Sequence, residues 1–193
     1  MSPIDAALRR GYEQGPMRGL YRLLTRWWTA FALAASLAML AAAHAFERFG
    51  GLAPCNLCLK QREVYWGAAA IALVATVWHL VSRGSRGTPR IAAFLLAVTF
   101  ATGAITAVFH MGGELDWWSL PAACAGGGDV DLESLTAFAL GTGPIERPAL
   151  CDAVAWSFLG LSMAGWNALI SAALAVFSLL AAKRPKDARA PRI

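Results

Sequence analysis

Apolar residues gather in four long runs along the chain, and shorter polar segments separate these runs. Each run is close to the roughly 20 residues that an α-helix needs to cross a hydrocarbon layer about 30 Å thick. No run carries an ionisable residue at its centre. A helix also satisfies its own backbone hydrogen bonds inside lipid. The pattern therefore predicts four transmembrane helices, at about 27–46, 64–81, 91–111 and 159–182.

Composition supports the same fold class. Hydrophobic residues make up 58% of the 193 residues and charged residues 15%, whereas a soluble domain has about 45–50% and 25%. We therefore predict an all-α integral membrane protein, in which residues 1–193 form a single membrane domain built on a four-helix bundle.

Basic residues indicate the orientation of this bundle. The segments 1–26, 82–90 and 183–193 hold 13 of the 17 lysines and arginines, and four crossings place these segments on one side of the membrane. The positive-inside rule makes that side cytoplasmic, so both tails, 1–26 and 183–193, are predicted to lie inside. The net charge of +5 is thus a topology signal and does not indicate nucleic-acid binding.

The first apolar run has one competing interpretation, a secretory signal cleaved after Ala45. The basic segment before it is too long for a signal, and the run itself has the length of a full span. Cleavage would also leave three spans and break the charge pattern. A retained first helix is therefore favoured.

Two loops are predicted on the opposite side, a short one at about 47–60 and a long one at about 112–158. Long loops without regular structure are usually functional or disordered. Within the second, the segment DLESLTAFAL (131–140) has apolar residues at helical spacing. It is predicted to form a short amphipathic helix, which lies on the membrane surface or covers the bundle.

All four cysteines fall in these loops. Cys55 and Cys58 lie in the first loop, and Cys124 and Cys151 lie in the second. A structural disulfide or half of a zinc site would explain the first pair alone. Zinc needs four nitrogen or sulfur ligands, and the second pair is not a second CxxC element. His44 and His110 keep a mixed zinc site open.

A redox role has further support from the residues around Cys58. If the second helix begins near Cys58, unpaired amides and the helix dipole favour its thiolate. Arg62, four residues later, lies on the same helix face. Two thiol pairs can also pass electrons between them by disulfide exchange. The second loop could then meet a soluble partner, while the first pair faces a lipid-soluble acceptor such as a quinone.

A few polar side chains in or beside the spans are further candidates. His110 could bind a quinone oxygen or carry a proton, or could simply pack among the helices. Glu114, one turn later, could orient His110 or face water. Asn167, Ser171 and Ser178 share one side of the fourth run and are expected to bond to neighbouring helices.

Three segments together resemble a known family: PCNLCLKQR at the second span, FHMGGELDWWSLPAAC after the third, and CDAVAWSFLGLSMAGWNAL before the fourth. Over about 20–180 the chain is similar to the DsbB family of disulfide bond formation proteins. The resemblance implies a bacterial inner-membrane enzyme with periplasmic active loops. It also implies a quinone-dependent thiol oxidase that uses ubiquinone or menaquinone and reoxidises a periplasmic thiol oxidase of the DsbA type.

The resemblance also implies a role for each cysteine. Cys124 corresponds to the cysteine that the DsbA thiolate attacks, and Cys151 to its disulfide partner. Cys55 corresponds to the cysteine that exchanges with Cys151. Cys58 corresponds to the thiolate that forms a charge-transfer or covalent adduct with the quinone ring.

Three more positions match residues near the quinone of the family. Arg62 corresponds to the arginine that supports quinone binding, and His110 and Glu114 match positions leading out of the third span. No resident metal is predicted. Two alternatives stay open: a reductase that runs in the opposite direction, and a metal-binding or structural membrane protein whose cysteines are not redox-active.

Overall fold

The computed structural model describes residues 24–82, 89–121, 124, 136, 140 and 150–183. Within these residues, four long helices are α1 (Trp28–Gly50), α2 (Asn56–Val81), α3 (Arg90–Glu114) and α4 (Met163–Ala182). A small hairpin of β1 (Ser157–Phe158) and β2 (Leu161–Ser162) precedes α4. All four helices are long and apolar enough to cross a membrane, which confirms the predicted fold class.

Small residues let the helices pack closely. Ala32, Ala68, Ala72 and Ala93 are buried, on three different helices. Small side chains at such contacts bring helix backbones together in a membrane, where apolar surface alone gives no reason to associate. The larger apolar side chains lie mostly on the outside, as lipid-facing residues should, and include Val74, Val81, Ile91, Ile105, Phe94 and Val98.

The second helix begins eight residues earlier than the predicted start at 64. Its first turn is capped by Cys55, whose sulfur accepts a hydrogen bond from the Cys58 amide. The first helix also runs past the predicted end at 46 and stops at Gly51, whose φ of 64° is left-handed. The non-helical connection between α1 and α2 is therefore only 51–55, because charged residues beyond the apolar runs remain helical.

The third helix continues to Glu114, slightly beyond the predicted 111. The fourth helix begins at Met163, four residues after the predicted start of the fourth span, because Leu159 and Gly160 form the turn of the hairpin. Ser162 then caps α4 by accepting a hydrogen bond from the Gly165 amide at 3.1 Å.

Several predictions fall on residues that the structure does not describe. They concern most of the tails 1–26 and 183–193 and most of the turn between the second and third spans. The amphipathic helix at 131–140 also lies outside the described residues, apart from Thr136 and Leu140. The Leu140 amide donates to the Thr136 carbonyl at 2.9 Å.

Candidate redox site

The structure brings the four cysteines together at one end of the bundle. Cys55, Cys124 and Cys151 form a buried cluster, and the half-buried Cys58 packs against it. All four are free thiols. Two cysteine pairs that are far apart in sequence therefore share one site. Electron transfer between the pairs by disulfide exchange requires this proximity.

The first pair is held by the start of α2. The Sγ atoms of Cys55 and Cys58 lie 2.7 Å apart, and the Cys58 amide donates to Cys55 Sγ at 3.2 Å. The pKa of the Cys55 thiol is raised because its sulfur interacts with that of Cys58 and is buried. Cys58 lies at the helix N-terminus, where unpaired amides favour an anion.

The second pair is held through its backbone. The Cys151 amide donates to the Cys124 carbonyl at 3.0 Å, and the Cys124 amide donates to the Pro121 carbonyl at 2.8 Å. Burial and the neighbouring Cys151 thiol raise the pKa of Cys124 to about 11. In the reduced protein Cys124 is therefore mostly a thiol at neutral pH.

The chain that leads to Cys124 is seated on the end of α3. A Cβ atom at Gly112 would lie 2.0 Å from Trp118 Cζ2, and one at Gly113 would lie 2.5 Å from Leu120 Cγ. Trp118 also donates its Nε1 hydrogen to the Phe109 carbonyl at 3.0 Å. The two glycines thus form a platform on which the segment before Cys124 packs.

His110 lies at the junction of the two pairs. Its Nε2 atom is 3.7 Å from Cys55 Sγ and 3.1 Å from the Cys151 carbonyl oxygen. Its Nδ1 atom is 3.0 Å from Gln61 Nε2 on the neighbouring helix. His110 is therefore a direct neighbour of the thiols as well as a residue of the cavity wall described below.

Of the two predicted roles of Glu114, to orient His110 or to face water, the structure excludes the second. Its side chain is 5% exposed, and one carboxylate oxygen lies 3.9 Å from His110 Nε2. The other oxygen accepts a short hydrogen bond from the Ser162 hydroxyl. Glu114 therefore connects the end of α3 to the cap of α4, next to the histidine.

Arg62 binds a partner that the sequence did not suggest. Its Nη1 atom donates to Glu47 Oε2 at 2.5 Å, and Nη2 donates to the Ala43 carbonyl at 3.2 Å. Both contacts reach across to α1 and fix the guanidinium beside the wall that also contains Cys58. A possible signal for this pair was an acidic residue, Glu47, just beyond the first apolar run.

A cavity of about 440 Å³ opens beside the first cysteine pair. Most of its wall is apolar and includes Met39, Leu40, Phe46, Leu52, Trp156 and Ile170. Its polar lining groups include Cys58, Gln61, Arg62, His110, Glu114 and Asn167. Such a mostly apolar pocket with a few convergent polar groups is typical of small-molecule sites.

Buried polar residues on α2 and α4 join into one network. Tyr65 donates to Asn167 Oδ1 at 2.5 Å, and the Asn167 amide donates to Gln61 Oε1. Ser171 also contacts the Tyr65 hydroxyl at 2.9 Å. The expectation that Asn167 and Ser171 bond to neighbouring helices is confirmed. The contacts of Tyr65 and Gln61 were not predicted from the sequence.

Three of the site residues also offer a set of metal-binding groups. The ligand atoms of Cys55, Cys58 and His110 lie within 4.8 Å of one another. A structural zinc site needs a fourth nitrogen or sulfur ligand. Catalytic zinc sites use three protein ligands and a water, so the metal-binding alternative keeps a geometric basis.

Comparison with known proteins identifies the family. The model for the family described as disulfide bond formation protein DsbB matches residues 25–181, which is most of the chain. This chain belongs to the DsbB family. The DsbB match spans all four helices and both cysteine pairs, so the predicted resemblance is confirmed.

Individual relatives agree with the family match. The disulfide bond formation protein B of Marinobacter nauticus is 33% identical over 173 residues, which cover 86% of this chain and 98% of that protein. The protein of the same name from Methylococcus capsulatus is 34% identical, with coverages of 74% and 85%. Disulfide bond formation protein B 2 of Pseudomonas putida is 32% identical, with coverages of 75% and 82%. No solved structure gives a significant match.

Family and fold together establish a multi-pass membrane oxidoreductase of the disulfide-forming class. The two cysteine pairs are its candidate redox centres. The cavity beside Cys58 is the candidate site for a second reactant.

Proposed function

We propose that this membrane thiol oxidase reoxidises a periplasmic dithiol protein of the DsbA type and passes the electrons to ubiquinone or menaquinone. The main support is the contact between the two cysteine pairs, which lie in one cluster beside a mostly apolar cavity at the end of the helix bundle. The basic segments support the orientation: both termini lie in the cytoplasm of a bacterial cell, and the cysteine loops lie in the periplasm.

The reaction begins in the oxidised protein, with disulfides Cys55–Cys58 and Cys124–Cys151. A partner thiolate attacks Cys124 Sγ, forms a mixed disulfide and releases Cys151 as a thiolate. Cys151 then attacks Cys55 Sγ, which forms the Cys151–Cys55 disulfide and releases Cys58 as a thiolate. Cys55 and Cys151 lie in the same buried cluster, which suits this internal exchange.

The remaining exchange steps return the second pair to its starting state. The second thiolate of the partner attacks its own sulfur in the mixed disulfide, so the partner leaves oxidised and Cys124 is released as a thiolate. Cys124 attacks Cys151 and restores their disulfide, which releases Cys55. Two electrons have then moved from the partner to the Cys55 and Cys58 pair.

The cavity fits an acceptor of the quinone class. Its volume of about 440 Å³ lies within the range of roughly 300–1,000 Å³ that is usual for small-molecule sites, and its wall is mostly apolar. Cys58 and Arg62 lie on this wall, so a thiolate and a cation would both face the acceptor. A bound quinone supplies the two-electron oxidation that restores the Cys55–Cys58 disulfide.

The test uses purified protein with a reduced DsbA-type partner and ubiquinone-1. Thiol loss and the loss of quinone absorbance should proceed at matched rates, and Cys58→Ser should reduce both to background. Cys124→Ser should also stop turnover but leave quinone binding, measured by titration of intrinsic tryptophan fluorescence, unchanged. Turnover that persists in Cys58→Ser would contradict the proposed mechanism.

Metal binding is the second candidate, and the close approach of Cys55, Cys58 and His110 favours it. If this candidate is right, the purified protein should contain one zinc ion per chain and should not oxidise thiols. Cys58→Ser and His110→Ala would then lose the zinc, whereas Cys124→Ser would keep it. Zinc content and quinone turnover, measured on the same preparation, separate the two functions.

A further inference from the structure

Four buried side chains form a continuous hydrogen-bonded chain that ends at the second cysteine pair. Tyr65 donates to Asn167, Asn167 to Gln61, and Gln61 contacts His110 Nδ1 at 3.0 Å. The other ring nitrogen of His110 lies 3.1 Å from the Cys151 carbonyl oxygen. The side chains come from α2, α3 and α4, so the chain crosses the bundle.

The direction of each bond in this chain can be assigned by starting from the carbonyl end. A carbonyl oxygen only accepts, so His110 Nε2 must carry the hydrogen that it shares with Cys151. In the neutral ring Nδ1 is then an acceptor, and the amide group of Gln61 must donate to it. This leaves Gln61 Oε1 to accept from Asn167, and Asn167 Oδ1 to accept from the Tyr65 hydroxyl. Each bond of the chain then pairs one donor with one acceptor.

We propose that Tyr65, Asn167 and Gln61 are positioning residues that fix the tautomer of His110 and thereby make it a clamp on Cys151. The opposite tautomer would turn the Nε2 lone pair toward the Cys151 carbonyl, where two acceptors repel each other. This inference rests on the proposed function, because its consequence is the alignment of Cys151 for exchange with Cys55.

The His110 clamp acts on the two cysteines whose relative position matters for the internal disulfide exchange, Cys151 and Cys55. Both polar backbone atoms of Cys151 are held: its amide by the Cys124 carbonyl at 3.0 Å, and its carbonyl by His110. The same His110 nitrogen is 3.7 Å from Cys55 Sγ. One N–H group therefore touches both partners of the internal exchange. A small misplacement of reacting groups slows a reaction strongly, so this alignment should set the exchange rate.

The obvious alternative is that these polar groups only hold the helices together. A tautomer measurement separates the two roles, because helix association alone does not depend on which ring nitrogen carries the proton. The chain has three histidines. A ring-¹⁵N-labelled sample is therefore simple to assign by substituting each one in turn.

The decisive variant is Gln61→Met, which keeps an unbranched side chain but removes the donor to His110 Nδ1. In wild-type protein the His110 ring should show one tautomer, with Nε2 protonated. In Gln61→Met both tautomers should appear. Transfer from Cys151 to Cys55, followed in a single turnover by acid quench and mapping of the Cys55–Cys151 disulfide, should slow about tenfold. Attack on Cys124 by the reduced partner should keep its wild-type rate.

Ser178→Ala is the matched control, because it also removes a buried polar contact of α4, the bond from Trp28 Nε1 at 2.9 Å. It should change neither the tautomer nor the transfer rate. If Gln61→Met does not fold, Tyr65→Phe should show the same changes more weakly. An unchanged tautomer, or a changed tautomer with wild-type transfer, would overturn the clamp. If the wild-type protein showed no quinone-dependent turnover, the proposed function would be refuted. The ¹⁵N spectra of the His110 ring would still show whether Gln61 controls its tautomer.

Discussion

The two ends of the bundle differ in how completely their buried polar side chains are hydrogen-bonded. At the cysteine end, which contains Cys55 and Cys151, the buried side chains of Gln61, His110 and Asn167 all have hydrogen-bond partners. At the basic end, which contains Arg26 and Lys183, the picture is mixed. Trp28 and Ser178 are paired there. The polar side-chain atoms of Ser36, Thr76 and His79 have no partner among the residues that the structure describes.

This contrast shows at which end hydrogen bonds fix the positions of the buried side chains. An unpaired buried polar group costs about 1–3 kcal/mol, so a fully paired network is the more exacting arrangement. The cysteine end carries that arrangement next to four thiols and the cavity. The basic end relies mainly on close packing of small residues. Substitutions at the cysteine end should therefore affect reaction steps, and those at the basic end should affect stability alone.

The largest expected effect concerns the reactivity of Cys124 in the reduced protein. Because its pKa is about 11 in place of the ordinary 9.0, about 0.1% is thiolate at pH 8, against about 9% for an ordinary thiol. Alkylation by iodoacetamide should therefore be about 100-fold slower than in SDS-unfolded protein, and should speed up about tenfold per pH unit up to pH 10.

The alkylation rate of Cys124 is measured by peptide mapping at several pH values. The same cysteine in the unfolded protein is the control for intrinsic reactivity. A folded-state rate within a factor of about three of the unfolded rate at pH 8 would mean that the thiol is not held in the buried cluster.

The second prediction concerns Arg62→Met, which leaves the Glu47 carboxylate without its cation. Because Arg62 lies on the cavity wall, where its cation would face the acceptor, kcat/KM for the quinone should fall about 10- to 100-fold. Arg62→Lys should recover part of the loss, because one ammonium cannot reach both Glu47 and the Ala43 carbonyl as the guanidinium fork does.

Lys60→Met is the matched control for Arg62→Met on the same helix. Lys60 also forms an ion pair, with Glu63 at 3.0 Å, but both side chains are 65% exposed. Exposed pairs contribute little, so quinone kinetics should stay at the wild-type level. Equal losses in the two variants would show that general charge, and not the partly buried Arg62–Glu47 pair, supports the acceptor site.

The third prediction tests the platform under the segment before Cys124. In Gly112→Ala the new methyl group would collide with the Trp118 ring. Overpacking of this kind costs about 1–3 kcal/mol, so alkylation of Cys124 should become about five- to tenfold faster as its cover loosens. Gly67→Ala is the control, since a Cβ there meets nothing within 4 Å. Equal rates in both variants would refute the platform.

The sequence was sufficient to predict the four spans, because hydropathy over 20 residues depends little on tertiary contacts. Helix ends were less accurate. The charged residues from Glu47 onward lie beyond the apolar run, yet α1 continues to Gly50. The hairpin before α4 was also missed, because Leu159 adopts a φ of 52° that its residue type does not suggest.

The candidate site was predictable as a set of residue types but not as a geometry. The spacing of Cys55 and Cys58 and the position of Arg62 were visible in the sequence. The contacts of Gln61 and Tyr65 were not, because each depends on a residue about one hundred positions away, Asn167. Such pairings follow from helix packing, which a single sequence does not encode in its periodicity.

The smallest expected effect lies at the basic end, in His79→Phe. Both ring nitrogens of His79 are buried without a partner among the described residues. The ring packs edge-on against Trp27, with centroids 5.0 Å apart. Phenylalanine keeps an aromatic ring in this place and removes the unpaired polar atoms. The free energy of unfolding in SDS should therefore rise by about 1 kcal/mol, with unchanged turnover. Asn167→Leu, the counterpart at the cysteine end, should lower it by about 1–3 kcal/mol, because Gln61 Oε1 loses its donor and the Tyr65 hydroxyl keeps only Ser171. A loss of stability in His79→Phe would show that the two ends do not differ in the way proposed.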